Sequence, residues 1–413
     1  MPGALTLAVL SAVLVSAALP AHSQTETVLH SFCTDQNHCP DGDKPTSTLT
    51  PDGAGNLYGT TPGGGVFGPG VVFELSPNGG GGWNETVLYS FHDFPDADSP
   101  EFSKLLFDSA GNIYGTTLSG GDYISGAVFE LSPAGGSWTE SVLYSFGGYK
   151  GDGTSPVNGL IMDAAGNLYG KTLQGGAQLP EGTVFELSPS AGGWTEKIIY
   201  NTGEAGGGST DAGLTMDSAG NIYGVTATAI FELSPNGNGG WNPSVIYHFA
   251  NRIASNKVVS GGNVPQGTLV FDKAGNLYGT TYSGGADDYG TVFELSPGNK
   301  GEWTKRILYS FQGGSQDGEA PVAGVVLDPA GNIYGTTTEG GANEAGVLFE
   351  LLAPEGQGSY QEKILWTFSD GGGAGTGGGL PFGGLILDSA GNLYGTTYYG
   401  GEYGCGVAFE LTP

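Results

Sequence analysis

Asp108-Ser-Ala-Gly-Asn-Ile-Tyr-Gly-Thr-Thr117 recurs, little changed, six more times along the chain. The Gly-Asn-(Leu/Ile)-Tyr-Gly core begins at Gly55, Gly111, Gly166, Gly220, Gly275, Gly331 and Gly391, so successive copies lie 54 to 60 residues apart. An Asp stands three residues before the first Gly in every copy: Asp52, Asp108, Asp163, Asp217, Asp272, Asp328 and Asp388. Asp at the first position and Gly at the last is the preference of a type I turn, in which the carboxylate accepts from nearby backbone amides. Alternating apolar residues flank each turn, so each copy reads as a β-hairpin corner. The Asp-x-Asp-x-Asp-Gly run of a calcium loop is missing, which favours the turn over a metal role for these carboxylates.

Working outward from the third copy, Val157 to Asp163 and Asn167 to Leu173 flank the turn as two strands. A Gly175-Gly176 loop leads to Gly182-Thr-Val-Phe-Glu-Leu-Ser188, and Trp194-Thr-Glu-Lys-Ile-Ile-Tyr200 supplies a fourth strand. The Phe-Glu-Leu strand occurs seven times, at Phe73, Phe129, Phe185, Phe231, Phe293, Phe349 and Phe409. The fourth strand follows only six of them, after Trp83, Trp138, Trp194, Trp241, Trp303 and Tyr360. Its missing copy stands at the other end, where Thr25-Glu-Thr-Val-Leu-His-Ser-Phe32 matches Asn84-Glu-Thr-Val-Leu-Tyr-Ser-Phe91. An open solenoid needs capping ends, whereas a ring needs its ends to meet. The expectation is an all-β, seven-bladed β-propeller of four-stranded antiparallel blades, closed by residues 25–32 joining residues 383–413.

These motifs, Gly-Asn-Leu-Tyr-Gly-Thr-Thr, then Gly-Gly, then Gly-x-Val-Phe-Glu-Leu, resemble the bacterial extracellular tandem-repeat family known as GloVer repeats, whose members carry varied surface anchors. The resemblance covers residues 25–413 and implies an exported or cell-envelope protein; it carries over no catalytic residues. The Asp-x-x-Gly-Asn-Leu-Tyr turn is more loosely similar to that of NHL-type propellers, which are mostly interaction modules.

Only 12 Lys and Arg stand against 41 Asp and Glu, a formal charge of −29, which argues against nucleic acid or an anionic membrane surface as partner. Removing the seven turn Asp and the seven Glu of Phe-Glu-Leu leaves 27 acids (41 − 14), so the acidic excess is not only scaffold. The apolar run Ala4 to Pro20, followed by Ala21-His-Ser23, reads as a secretory signal peptide over residues 1–23, with the propeller spanning 24–413. A secreted or cell-envelope location, no membrane span, no C-terminal anchor and a monomer are expected. Three cysteines allow three single disulfides, of which Cys33 with Cys39 is the local favourite over pairings with Cys405.

A residue present in all seven blades serves the blade, so function belongs where the repeat is broken. Loops joining blades share one face with loops after each second strand, and that face is where the copies differ. It gathers Asp96, Asp98, Asp152 and Asp317 from the joining loops, and Asp122, Tyr123, Asp287, Asp288, Tyr289, Tyr398, Tyr399, Glu402 and Tyr403 from the others. Tyrosine faces stack on sugar rings and carboxylates accept from sugar hydroxyls, so this rim is a candidate ligand site for a glycan or an envelope protein. The competing reading is structural: Asp-Gly-x-x-Pro is turn chemistry, and the tyrosines cover loops. Paired rim carboxylates at a separation of roughly 5 to 10 Å would instead suit a polysaccharide-cleaving enzyme, and a surface protein with no small ligand is a third class. Blade 4 lacks the Gly-Gly loop at Tyr223-Gly-Val-Thr-Ala-Thr-Ala-Ile-Phe231, and the long segment after it carries Arg252 and Lys257, a basic island that suggests a partner notch. No Gly-x-Ser-x-Gly elbow, His-Glu-x-x-His helix, phosphate loop or dinucleotide fingerprint occurs, so no metal or cofactor is expected.

Overall fold

The computed structural model describes residues 24–35, 38–92, 94–177, 181–249, 262–354, 356, 358–369 and 377–412. The signal-peptide reading of residues 1–23, and Arg252 with Lys257, lie outside them.

Seven four-stranded antiparallel sheets are arranged as a seven-bladed β-propeller. Blade 3 runs Gly153–Met162, Leu168–Gly175, Thr183–Ser190 and Gly193–Asn201 from axis to rim, in chain order. Blade 7 has the permuted order that closes the ring: Thr25–Ser31 is its outer strand and pairs with Val407–Thr412, from Thr25 opposite Thr412 to Ser31 opposite Val407.

The repeated turn owes its sequence to hydrogen bonding. Asp163 Oδ1 accepts from the amides of Ala165 and Asn167, both at 2.9 Å, while Oδ2 accepts from Asn167 Nδ2 at 2.8 Å and the Tyr169 hydroxyl at 3.0 Å. Equivalent bonds recur in the other six copies; in the first, Asp52 takes Ala54, Asn56 and Tyr58. Gly166, at φ +83°, takes the left-handed position that closes the turn.

The second glycine of each motif answers to packing. Gly170 lies opposite Phe185 in the sheet, and a Cβ there would stand 2.4 Å from the Phe185 ring. The same Gly and Phe face each other in every blade, from Gly59 with Phe73 to Gly395 with Phe409. Those fully buried rings also join the blades. Phe146, at the end of blade 2, meets Phe185 of blade 3 edge-to-face at 4.9 Å, and Phe32, at the end of the closing strand, meets Phe73 of blade 1 at 5.0 Å. Tyr200 against Phe231 is the one departure from a Phe–Phe pair. Each such contact is worth roughly 0.5–1.5 kcal/mol beyond the area it buries.

The Glu of Phe-Glu-Leu takes hydroxyl donors: Tyr114 reaches Glu130 at 3.0 Å and Tyr334 reaches Glu350 at 2.9 Å, while Ser188 serves Glu186. Glu294 has in addition the guanidinium of Arg306, at 2.6 Å.

Candidate functional site

The joining-loop aspartates are held inside the blade junctions. Asp152 accepts from the Tyr144 hydroxyl at 3.0 Å and from the amides of Gly147 and Gly148 at 2.8 and 3.0 Å. Asp317 repeats this with Tyr309 and the amides of Gln312 and Gly318, and Asp96 with Tyr89 and the amides of His92 and Ala97. At the ring closure Asp41 takes His30 Nε2 at 2.9 Å in place of a tyrosine. Burial raises the pKa of Asp152 and Asp317 even though these donors oppose the shift. Three of the acids read as rim ligands therefore shape the joining loops, while Asp98 accepts from its neighbour Ser99 at 2.7 Å.

The remaining rim candidates divide by blade. Asp122 and Tyr123 are exposed and edge a shallow cleft of about 380 Å³ with Pro95, Val142 and Tyr144. Asp287 is exposed, whereas Asp288 accepts from the Gly284 amide at 2.9 Å and Tyr289 packs on the core between blades 5 and 6. Tyr398, Tyr399, Glu402 and Tyr403 gather on blade 7, where Tyr398 and Tyr399 meet edge-to-face at 4.7 Å and the Glu402 carboxylate raises the pKa of the neighbouring Tyr403 hydroxyl. Cys33 and Cys39 are disulfide-bonded and Cys405 is a free thiol.

The larger concavity is one that the loop-centred sequence reading passed over. The innermost strands surround a central cavity of about 790 Å³, within the range typical of small-ligand sites. Four residues before the turn Asp, the seven blades place Thr48, Lys104, Gly159, Gly213, Thr268, Gly324 and Gly384. All but Gly213 line the cavity. Lys104 is the one cation of this set, and the protein walls around it lower its pKa by desolvation. Asp211 lines the same cavity with its pKa raised by burial, against the opposing charge of Lys171; Glu101 is raised by burial and by Asp211. Asn158 crosses blade boundaries, donating to the Asp211 carbonyl at 2.6 Å and accepting from Thr268 Oγ1 at 3.3 Å.

Phe102 and Phe382 complete the cavity wall, and they begin an aromatic row. Phe102 meets Phe382 at 6.2 Å, Phe382 meets Tyr398 at 5.6 Å, and Tyr398 leads to Tyr399 on the rim. Tyr282, at the same motif position as Tyr398, lines the cavity from blade 5 and is 41% exposed. The signal available in the sequence was the break in the repeat at Lys104, Asp211 and Phe382. Each looks like an ordinary substitution ahead of an inner strand until the seven copies are placed around one axis.

Lys171 replaces the first Thr of the Tyr-Gly-Thr-Thr motif and is completely buried. Its ammonium donates to the carbonyls of Ala212 at 3.0 Å and Val225 at 2.8 Å, and burial lowers its pKa to about 7. In other blades the Thr at this place also reaches the next blade, as Thr60 does to the Pro100 carbonyl at 2.8 Å. Lys171 thus ties blade 3 to blade 4.

The family model of the Gloeobacter/Verrucomicrobia repeat matches residues 81–258 and 227–413. The chain belongs to this repeat family. Among curated proteins, none matches the sequence. Solved structures of similar shape include the extracellular domains of two hybrid two-component systems of B. thetaiotaomicron. BT4673 is 13% identical with a TM-score of 0.56, over 94% of this chain and 42% of that one; BT3049 is 14% identical with a TM-score of 0.52, over 90% and 39%. The repeat protein spans about two fifths of those chains, and at this identity the likeness is one of fold. Among the described residues no helix is long and apolar enough to cross a membrane.

Proposed function

We propose that this repeat protein is an exported binding module that takes a glycan at the mouth of its central cavity. The observation that carries this reading is the row Phe102, Phe382, Tyr398 and Tyr399, which runs from the cavity wall to the rim. Aromatic faces suit the apolar faces of sugar rings. Between them Asn158, Gln266, Thr48 and Lys104 offer the amide, hydroxyl and ammonium groups that sugar hydroxyls recognise. One sugar unit enters the cavity against Phe102 and Phe382, and the chain continues over Tyr398 and Tyr399, beside Glu402.

Binding is favoured over cleavage because Asp96, Asp152 and Asp317, the acids an enzyme of the rim would use, already accept from tyrosine hydroxyls and backbone amides. The apolar run before residue 24 supports export.

The test is calorimetric titration against a panel of neutral and acidic oligosaccharides, with mass spectrometry of the sugars afterwards. Micromolar to millimolar binding of at least one intact sugar is expected, weakened about fivefold by Phe382→Ala or Tyr398→Ala, each of which removes stacking worth roughly 1 kcal/mol. Cleaved fragments would move the reading to an enzyme. Absence of binding to every sugar would overturn it in favour of an envelope-protein partner or a structural role.

A further inference from the structure

The three cysteines of the chain converge on the junction where the ring closes. Cys33 follows the outer strand of blade 7. Cys39 is anchored toward blade 1, its carbonyl accepting from the amides of Gly65 at 2.8 Å and Gly42 at 3.0 Å. Cys405 lies in blade 7 itself, and its carbonyl accepts from the Lys44 amide at 2.8 Å. The three sulfur atoms all lie within 4.8 Å of one another.

The blade does not ask for sulfur at this place. Residues equivalent to Cys405, immediately before the Gly of Gly-x-Val-Phe-Glu-Leu, are Pro69, Ser125, Glu181, Tyr289 and Ala345. Both half-cystines have left-handed backbones, at φ 67° for Cys33 and φ 42° for Cys39, a region that costs an L-residue roughly 1–2 kcal/mol. Thiol–disulfide exchange requires a thiol within reach of a disulfide, and a strained backbone at both half-cystines makes that disulfide the more labile.

We propose that Cys405 is an exchange thiol that takes over the Cys33–Cys39 disulfide and converts a local loop into a covalent lock on the ring. The Cys405 thiol gives its proton to solvent and its sulfur attacks Sγ of Cys39. A Cys39–Cys405 bond forms as the Cys33–Cys39 bond breaks, and Cys33 leaves as a thiolate that takes up a proton. Electrons balance within the three sulfurs, so no oxidant or reductant is consumed. Attack on Cys33 gives the Cys33–Cys405 isomer in the same way. Either product replaces a bond spanning six residues by one that joins the N-terminal segment to blade 7.

Burial, with Asp43 and Asp41 opposing Lys44, pushes the Cys405 thiol up to about 11. The attacking thiolate is therefore scarce at neutral pH, and the exchange is slow and base-accelerated.

The test is a time course on the full chain, purified under oxidising conditions, incubated at pH 7, 8 and 9, acid-quenched with N-ethylmaleimide and mapped by non-reducing peptide mass spectrometry. Peptides bridged from Cys405 to Cys33 or Cys39 are expected to accumulate, with an initial rate rising about tenfold per pH unit. Cys33→Ser is expected to give a Cys39–Cys405 bridge in a glutathione buffer that keeps the wild-type disulfide oxidised. The proposal is overturned if Cys405 stays fully alkylated at every time and pH, or if the folded Cys33→Ser chain keeps two free thiols in that buffer.

Discussion

Asp163 and Glu196 belong to the same blade, and the fold treats their carboxyl groups in opposite ways. Asp163, in the turn between the two inner strands, receives four donors, and they outweigh the burial that opposes ionisation, so its pKa is lowered. Glu196, on the outer strand, receives the Tyr149 hydroxyl at 2.9 Å on one oxygen, while its other oxygen is buried without a donor. Burial pushes it up to about 7; the Tyr149 bond resists this, and nearby Asp152 adds to it. Asp152 also has one buried oxygen without a donor. The contrast recurs around the ring, since Glu26, Glu85, Glu140 and Glu362 each bury an oxygen with no partner at the matching place. Donor supply, more than burial itself, separates a carboxylate that holds the fold from a carboxyl that asks for a proton.

The largest expected effect is on the pH dependence of stability. Glu26, Glu85, Glu196 and Glu362 are raised to about 7 and Glu140 to about 8. A raised folded pKa means stability that is fully present below about 4.5 and lost as pH climbs through 7 to 8. The turn aspartates Asp52, Asp108, Asp163, Asp272 and Asp388 are lowered, so their contribution is present above about 4 and lost as pH falls below it. Urea unfolding should therefore show a maximum near pH 4 to 5, with stability lower at pH 9 by on the order of 5 kcal/mol. A profile that stays flat or rises from pH 5 to 9 would remove the contrast altogether.

Next in size is Asp163→Ala, which strands two amides, the Asn167 side chain and the Tyr169 hydroxyl. A loss of about 3 kcal/mol is expected in the same assay at pH 7, with Asp163→Asn intermediate because its oxygen still accepts from the amides. Glu140→Gln should move the other way. Burial, and then the nearby Asp96 carboxylate, hold its carboxyl toward the neutral form, which an amide imitates and an ionised carboxylate does not. The variant should gain on the order of 2 kcal/mol at pH 9 and change little at pH 5. Destabilisation at pH 9 would mean that Glu140 is paired by something other than a proton.

The two carboxyl sets were not equally legible in the sequence. The turn aspartate meets all its donors within six residues, so Asp163 to Tyr169 is readable as a local motif, and its seven copies led directly to the ring. The permuted strand at Thr25–Ser31 was readable for the same reason, because it is a copy found out of place. Asp152 and Glu196 are 44 residues apart and meet only because the outer strand of blade 3 packs on the junction before it. The Asp-Gly-x-x-Pro loops drew attention to the acids, but the Tyr144 hydroxyl that occupies Asp152 comes from the preceding blade. Lys104 and Asp211 were hidden by the opposite problem: each breaks the repeat only as a single substitution, and only the common axis brings them to one cavity. The two exceptions to the outer-strand Glu follow the same geometry. Pro243 takes its place in blade 4, and in blade 5 Lys305 lies over the rings of Tyr247 and Phe249, at 5.0 and 4.5 Å, its pKa lowered to about 8 by burial.

The smallest expected effect is the most discriminating. Tyr144→Phe removes one hydroxyl donor from Asp152 and leaves its two backbone amides, so a loss of about 1 kcal/mol is expected. If Asp152 and Glu196 compete for a limited supply of protons and donors, removing the tyrosine makes the repulsion from an ionised Glu196 more costly. The cost of Tyr144→Phe should then be greater with Glu196 present than with Glu196→Gln, by roughly 0.5–1 kcal/mol at pH 9, and this difference should vanish at pH 5, where Glu196 is protonated. A double-mutant cycle by urea unfolding at both pH values measures it. Additivity at pH 9 would mean that Tyr144 and Glu196 act on the junction independently, and the carboxyl pair would reduce to two separately buried acids.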